Sequence, residues 1–371
     1  MRVVVTGARG FLGRRVVAAA KTAGHDVVEF NRGDANSRLA DLFRGADVVV
    51  HLAGVNRPRD PAEFTSGNSD LTEQVANAVD VARNPVVLFS SSTQATLDNP
   101  YGVSKRAAEG HLEKLAKRGA RVVVFRLPNV FGPGGRPNYN SAVATFAHNA
   151  ANGLPMEVHD ASRELTLVYV HDVAAAMLGV FAAPPATGTF EFRSVAPEYR
   201  MTVGALADTF SGYAKLRETF FVPDVSTPLK KALYATYLSC LPHGKFAYDL
   251  VQRTDPRGTL AEFLKSPGAG QIFVSRTKPG ISRGNHFHHT KTEKFFVLEG
   301  DAIVRFRRVD GTGDVMSYPV SGRDFRVVDI PPDHTHLIEN VGTTELIVLF
   351  WACEVFDPAV PDTTALNVID K

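Results

Sequence analysis

The sequence predicts an α/β domain followed by a smaller all-β domain, and three observations carry that prediction. Near the start, strand, glycine turn, helix and strand follow in order: Val3-Val4-Val5, glycines 7, 10 and 13, an apolar-periodic stretch through Val16, Val17 and Ala20 ending near Gly24, then Asp26 to Phe30. From about residue 245, helical periodicity gives way to short β-rich runs between turn residues. These are Gln271 to Arg276, Lys294 to Leu298, Ala302 to Phe306, Arg326 to Ile330 and Leu346 to Trp351, a spacing that argues for an antiparallel barrel or jelly roll. The length, 371 residues, exceeds what one core usually fills. We therefore expect two domains, 1–243 and 244–371, divided near Leu241-Pro242-His243-Gly244.

Composition excludes several function classes. Charge is nearly balanced and no dense Lys/Arg run is present, which leaves no nucleic-acid footprint. Cys240 and Cys353 are the only cysteines, so a disulfide framework is not expected and a reducing cytoplasm fits best. The start runs directly into the glycine turn without the apolar region of a signal peptide. No apolar stretch approaches the roughly 20 residues that span a bilayer, so no membrane association is expected.

Each amino-terminal element has a physical reading. Val3-Val4-Val5, β-branched without polar alternation, suits a parallel strand covered on both faces. Gly7, Gly10, Phe11, Leu12 and Gly13 then form a tight turn into a helix whose N-terminus offers free N–H groups to a pyrophosphate. A second buried strand, Asp47 to His51, ends in Leu52-Ala53-Gly54, small residues that leave room for a dinucleotide. At the end of the 26–30 strand, NAD enzymes usually place an acid for the ribose 2′-hydroxyl. This chain reads Glu29-Phe30-Asn31-Arg32 there; Arg32, with Arg9 in the turn, favours a 2′-phosphate and hence NADPH, while Glu29 keeps NADH as the alternative.

The strand from Val86 to Phe89 runs into Ser90-Ser91-Ser92, and Tyr101 and Lys105 stand four apart on one face of a helix start. A phenol beside an ammonium is expected to have a lowered pKa. It would give a proton to the alkoxide formed when hydride reaches a carbonyl, while a serine hydroxyl orients the carbonyl oxygen. With Arg126-Leu127-Pro128-Asn129-Val130-Phe131-Gly132-Pro133 and Val168-Tyr169-Val170-His171-Asp172, these residues resemble the extended short-chain dehydrogenase/reductase family over roughly residues 1–240. The resemblance implies a Rossmann-type domain acting on a nucleotide sugar, with Ser92 as first choice of catalytic serine, Ser91 as second, and Tyr101 and Lys105 as its partners. The interval from Ser92 to Tyr101 is shorter than in many members. Residues 134–165 and 185–235 are expected to supply much of the substrate-binding part, and their Pro, Gly and Asn content suggests mobile loops over a core sheet. Asn129 and the segment Arg136 to Asn140 are candidate sugar-nucleotide contacts, with loop capping as the competing reading.

In the carboxy-terminal part, Gly280, His286, His288, Glu293 and Gly300 match the first cupin motif, and Pro331, His336 and Asn340 match a looser second one in which Asp333 replaces the usual glycine. His286 and His288, two apart on a strand, share a face, and Glu293 is expected to return on the neighbouring strand. With His336 they form a His/His/Glu/His set for a divalent ion, zinc first, with iron, manganese and nickel open on ligand type. Asp255-Pro256-Arg257-Gly258 and Ser282-Arg283-Gly284-Asn285-His286 also resemble segments of 4-keto-sugar 3,5-epimerases, in which the histidine acts as base; that role and the ligand role compete for His286.

A reductase joined to such a cupin resembles the CapF/WbjC-type family of bifunctional enzymes of bacterial polysaccharide synthesis, through His51 to Pro58, Asp98 to Gly102, Lys291 to Phe295 and Phe356-Asp357-Pro358. The resemblance implies a UDP-4-keto-6-deoxy-N-acetylhexosamine substrate, epimerised at C3 by the cupin and then reduced at C4 with NADPH. A homodimer is expected. Lys294, Tyr318 and His289 are open as the epimerase base. A plain ketoreductase with a structural cupin, a fused metal-dependent dioxygenase and a non-enzymatic NADPH sensor are the competing readings.

Overall fold

The computed structural model describes residues 1–369, and the chain divides into two compact units: 1–214 with 224–243, and 215–223 with the segment from Gly244 onward. In the first unit the chain runs through β1 (Arg2–Thr6), α1 (Phe11–Thr22), β2 (Asp26–Phe30), α2 (Leu39–Phe43), β3 (Val48–His51), α3 (Ala62–Phe64) and α4 (Leu71–Ala78). It continues through β4 (Val86–Ser92), α5 (Pro100–Lys117), β5 (Arg121–Leu127), β6 (Asn129–Phe131), α6 (Ala142–Asn152), β7 (Glu164–Tyr169) and α7 (Val170–Ala182). β8 (Phe190–Arg193), β9 (Tyr199–Thr202), α8 (Val203–Thr219) and α9 (Pro228–Leu238) follow, α8 crossing from one unit into the other.

Among the described residues, β2-β1-β3-β4-β5-β8 form a parallel sheet and β6-β7-β9 a small second one. The valine runs are unbroken because both faces of the large sheet are covered: Val3, Val5, Val48 and Val50 face the core beneath α1 and α7, while Val4, Val49 and Val87 face the one beneath α4 and α5. The chain leaves β1 toward β2 on one side and returns to β3 on the other. The carboxyl ends of β1 and β3 are thus the topological switch point where such sheets hold ligands.

Residues 134–165 and 185–235 are not the loops their composition suggests, since they hold α6, α8 and α9. The asparagines and glycines terminate helices instead. Asn149 donates from its side chain to Pro155 O at 2.8 Å, and Gly153, at φ +71°, caps α6 in the left-handed conformation. No described helix is long and apolar enough to cross a membrane.

The second unit is built of β10 (Gln252–Asp255), β11 (Gly258–Ser266), β12 (Gly270–Thr277), β13 (Ser282–Phe287), β14 (Glu293–Glu299) and β15 (Asp301–Arg308). β16 (Met316–Ser321), β17 (Val327–Ile330), β18 (His334–Asn340), β19 (Leu346–Ala352) and β20 (Thr364–Ala365) complete it. Among the described residues two antiparallel sheets, β10-β11-β12-β19-β14-β17 and β16-β15-β18-β13-β20, enclose a core of Phe295, Val297, Val304, Phe306, Ile338, Val348 and Phe350. This is the all-β jelly roll expected of a cupin.

Candidate functional site

At the switch point, Gly7 bends the chain out of β1 with φ +68°, and its N–H donates to Phe30 O at 2.7 Å. A Cβ here would lie 2.8 Å from Ala53 N, so the turn and the end of β3 meet backbone to backbone. At Gly13 a Cβ would lie 2.1 Å from Gly7 O, which fixes glycine where α1 enters. Leu12 packs against the core, so Phe11 and Leu12 present first-turn N–H groups rather than side chains to the turn. The resulting cleft, about 710 Å³, is lined by Gly7, Gly10, Arg32, Leu52, Ala53 and Gly54, all expected from sequence.

A second cavity of about 650 Å³ shares Arg32, Gly54, Val55 and Glu63 with that cleft and adds Arg57, Arg59, Arg136 and Tyr139. Arg57 braces two loops by donating to the carbonyls of Tyr139 and Asn138, and Arg136 lies 4.9 Å over the Tyr139 ring. Glu63 accepts from the amides of Arg59 and Asp60 at 3.2 and 3.3 Å. None of these four arginines pairs with a carboxylate among the described residues, so the cavity is a field for anions. Glu29, the candidate ribose acid, is paired with Lys21 at 3.0 Å.

α5 begins where Asn99 Oδ1 accepts the Gly102 N–H at 2.8 Å and Pro100 sets the first turn, which puts Tyr101 and Lys105 on one face. Tyr101 is hydrogen-bonded to the Ser92 side chain. Ser91, its neighbour on β4, is committed elsewhere: its hydroxyl donates to buried Glu109 at 2.5 Å, and Glu109 also takes two bonds from Arg126, at 3.0 and 2.7 Å. Of the two candidate serines, Ser92 is therefore the one beside the phenol. Lys105 Nζ donates to Ser90 O at 2.9 Å and lies 4.7 Å over the Phe89 ring. Burial pushes this ammonium down to about 8, against the pull of Glu109.

The expectation of a lowered tyrosine pKa is not met. Burial raises Tyr101 and the Ser92 bond only partly offsets it, so the group is a protonated phenol at neutral pH. That is the form a proton donor needs.

Two further groups support this arrangement. Asn68, on a π-helical turn (Thr65–Asp70) between α3 and α4, accepts from Val55 N at 2.8 Å and donates to Ser104 Oγ at 3.0 Å; Ser104 in turn donates to Tyr101 O at 2.8 Å. His51 is fully buried between Thr6 and Thr72. Thr72 donates to Asn68 O at 2.6 Å and so accepts from His51 Nε2–H, leaving Nδ1 as acceptor from Thr6. Burial, then the Lys105 charge, push this imidazole down to about 3, keeping it neutral.

In the second unit His286, His288, Glu293 and His336 converge, their ligand atoms all within 4.8 Å of one another. Glu293 arrives from the facing sheet, not from a hydrogen-bonded neighbour of β13 as expected: β13 pairs with β18 and β20, whereas β14 pairs with β17 and β19. Its carboxylate Oε2 lies 3.4 Å from His288 Nε2 and 3.3 Å from His336 Nε2. Both nitrogens are buried and make no hydrogen bond. Their Nδ1 atoms donate instead to carbonyls, His288 to Asp362 O and His336 to His334 O at 3.2 Å. With Nδ1 turned to a carbonyl in each ring, both Nε2 atoms are aimed at one point beside a carboxylate, the donor arrangement that a divalent ion fits. Burial and the neighbouring His336 and His288 push His286 down to about 4.

The three candidate bases sit differently. Lys294 is on the outer face, paired with Asp329, and His289 is two-thirds exposed near Asp333. Tyr318, 39% exposed, is in phase with Met316 and Val320 on β16, and its ring stacks at 5.2 Å on Phe306, the residue paired with His336.

Residues 3–191 match the model of the NAD dependent epimerase/dehydratase family. The chain belongs to that family. Residues 253–364 of this epimerase/dehydratase-family chain match the polysaccharide biosynthesis C-terminal domain. It is 44% identical over 371 residues, 99% of each chain, to the UDP-2-acetamido-2,6-beta-L-arabino-hexul-4-ose reductase of Pseudomonas aeruginosa strain PA103. Its structure is similar to that of the capsular polysaccharide assembling protein CapF from Staphylococcus aureus, with 40% identity, 99% of this chain and 100% of that one covered, and a TM-score of 0.89. The UDP-glucose 4-epimerase of Thermus thermophilus, 20% identical with a TM-score of 0.53, covers 65% of this chain and 99% of its own, and shares the fold of the first unit. The family member described here is a CapF-type enzyme, as the sequence resemblance implies.

Proposed function

We propose that this chain, as a cytoplasmic homodimer, epimerises UDP-2-acetamido-2,6-dideoxy-4-hexulose at C3 in the cupin unit and then reduces C4 in the first unit with NADPH. The product is UDP-2-acetamido-2,6-dideoxy-L-talose, a precursor of UDP-N-acetyl-L-fucosamine for capsule or O-antigen synthesis. The observation that carries this reading is that a complete Ser92/Tyr101/Lys105 set and a complete His286/His288/Glu293/His336 set coexist in one chain, similar over its whole length to a UDP-hexulose reductase.

In the reductase, NADPH when bound would supply the hydride for C4. Ser92 orients the carbonyl oxygen, Tyr101 gives its phenolic proton to the oxygen as the alkoxide forms, and the Lys105 charge favours the phenolate left behind. Lys105 keeps its ammonium below about 8 and loses it above, while Tyr101 stays protonated to higher pH. The kcat/KM for reduction is therefore expected to be level up to about pH 7 and to fall through an apparent pKa near 8. A profile flat to about pH 10 would remove Lys105 from this role.

For the cofactor, Glu29 is engaged by Lys21 while Arg32 lines both cavities without a carboxylate partner. Arg32→Ala is expected to raise the KM for NADPH by roughly tenfold or more, the loss of one charge-assisted bond, with NADH little affected. Equal effects on both cofactors in steady-state assays would argue against 2′-phosphate recognition.

In the cupin, the C4 ketone acidifies the C3 hydrogen. A base takes that proton, and a proton is returned on the opposite face. His286, His288, Glu293 and His336 would hold a divalent ion, zinc first, which when bound would supply Lewis-acid polarisation of the ketone. With His286 a ligand, its imidazole is unavailable as base, and Tyr318, stacked on the Phe306 that pairs with His336, is favoured over Lys294 and His289. Reduction then removes the ketone and with it the acidity that lets C3 re-equilibrate. The test is deuterium uptake at C3 of the keto-sugar in D₂O without NADPH. Uptake supports the two-step reading, whereas NADPH consumption by a chain that never exchanges C3 leaves a ketoreductase with a structural cupin.

A further inference from the structure

The turn 288–292 between β13 and β14 begins with one metal-site residue and delivers another at its end, so its shape sets the distance between His288 and Glu293. Its amides do not bond within the turn. Asp362 Oδ1 accepts from His289 N at 2.8 Å, and Oδ2 accepts from Thr290 N at 2.8 Å, Thr290 Oγ1 at 2.9 Å and Lys291 N at 2.9 Å. Three successive N–H groups thus close around one carboxylate, a nest whose anion comes from far along the chain. The carbonyl of the same residue accepts the His288 Nδ1–H.

Asp362 is held in turn by a strap at the end of the described chain. Thr364 and Ala365 pair with Phe287 and His286 as the edge strand β20. Leu366 N donates to Asn285 O at 3.0 Å, and its carbonyl accepts from Thr335, the neighbour of His336. Arg307 closes the far end by donating to Val368 O at 2.7 Å, and Val368 is 1% exposed. The strap therefore touches the backbone of His286, the ring of His288, the residue beside His336 and the turn that leads to Glu293.

We propose that Asp362 is the positioning residue of the metal centre: its carboxylate sets the turn that spaces His288 from Glu293, and its carbonyl fixes the His288 tautomer so that Nε2 faces the ion. The proposal rests on the reading that this cluster holds a divalent cation. It makes the strap part of the site, since ligand orientation would otherwise be lost to rotation of the His288 ring and opening of the turn.

The test uses full-length Asp362→Ala and Asp362→Asn, with Asp357→Ala as the control; Asp357 lies in an exposed turn, where its side chain accepts from Ala359 N and its carbonyl from Val360 N. Zinc affinity is measured by chelator competition, and the cobalt-substituted proteins are compared by their d–d absorption. Asp362→Ala is expected to lower zinc affinity by roughly 10–100-fold and to shift the cobalt bands. Asp362→Asn should show a smaller loss and the control none, with NADPH binding intact in all. Should the alanine variant fail to fold its second unit, the asparagine variant carries the same comparison. Wild-type zinc affinity and cobalt spectrum in both variants would overturn the positioning role. A wild-type chain that binds neither ion overturns the metal-centre reading itself, and this proposal with it.

Discussion

Tyr101→Phe is expected to lower NADPH-driven reduction by about 10²–10⁴-fold, the range for loss of a positioned general acid, while leaving C3 exchange intact. The substitution removes one oxygen from a ring lying 5.7 Å from the Phe64 ring, so packing is retained. It takes away the proton that the alkoxide needs and the hydrogen bond to Ser92. Because the phenol is protonated in the resting protein, the variant should lose kcat rather than cofactor binding. NADPH affinity, measured by fluorescence titration, should therefore be unchanged. A reduction rate within a few-fold of wild type would mean that the proton comes from elsewhere and would end the assignment of Tyr101. Ser92→Ala should act in the same direction, whereas Ser91→Ala should act through stability, because it leaves the buried carboxylate of Glu109 with Arg126 alone.

What was legible from sequence and what was not divide along a physical line. Val3-Val4-Val5 and the glycines after it were readable because a strand covered on both faces carries no polar alternation, and because no Cβ fits beside Gly7 O at position 13. The cluster of the second unit was readable because His286, His288 and Glu293 are near neighbours on a strand, a turn and a strand start. Where the reading failed, the deciding contacts were distant in sequence. Asp362 is 74 positions from His288, and no spacing rule joins a terminal strap to the turn it clamps. Asn68 reaches the Tyr101 backbone through a π-helical turn, a register that helical periodicity does not announce. The direction of the Tyr101 shift was misjudged because burial, the larger cause, is not written in the Tyr-x-x-x-Lys pattern. Asn149 and Gly153 suggested a loop because residues that end helices are also those that populate turns.

Loss of a ligand in the second unit is expected to have the converse effect to Tyr101→Phe. His336→Ala removes a buried imidazole whose Nε2 lies 3.3 Å from Glu293 and leaves His286, His288 and Glu293 without the fourth convergent donor. C3 exchange should fall by about 10²-fold or more, the scale for losing a group that stabilises developing oxyanion charge. The first unit is untouched by the change, so NADPH binding and the Ser92–Tyr101 pair should persist. The two defects then separate by substrate. Given the keto-sugar that has not been epimerised, His336→Ala should stall with NADPH unconsumed. Given the C3 epimer prepared beforehand with Tyr101→Phe protein, it should oxidise NADPH at a rate close to wild type. Mixing the two variants should restore turnover from the unepimerised sugar, because each supplies the step that the other lacks. Stalling on the pre-epimerised sugar as well would show that the cupin ligands serve the reduction itself, and the separation of epimerisation from reduction would have to be abandoned. Chelation of wild-type protein should reproduce the His336→Ala pattern if the ion acts on the ketone. If chelation lowers the thermal stability of the second unit but leaves C3 exchange unchanged, the ion holds the barrel and Tyr318 and its neighbours carry the proton chemistry without it.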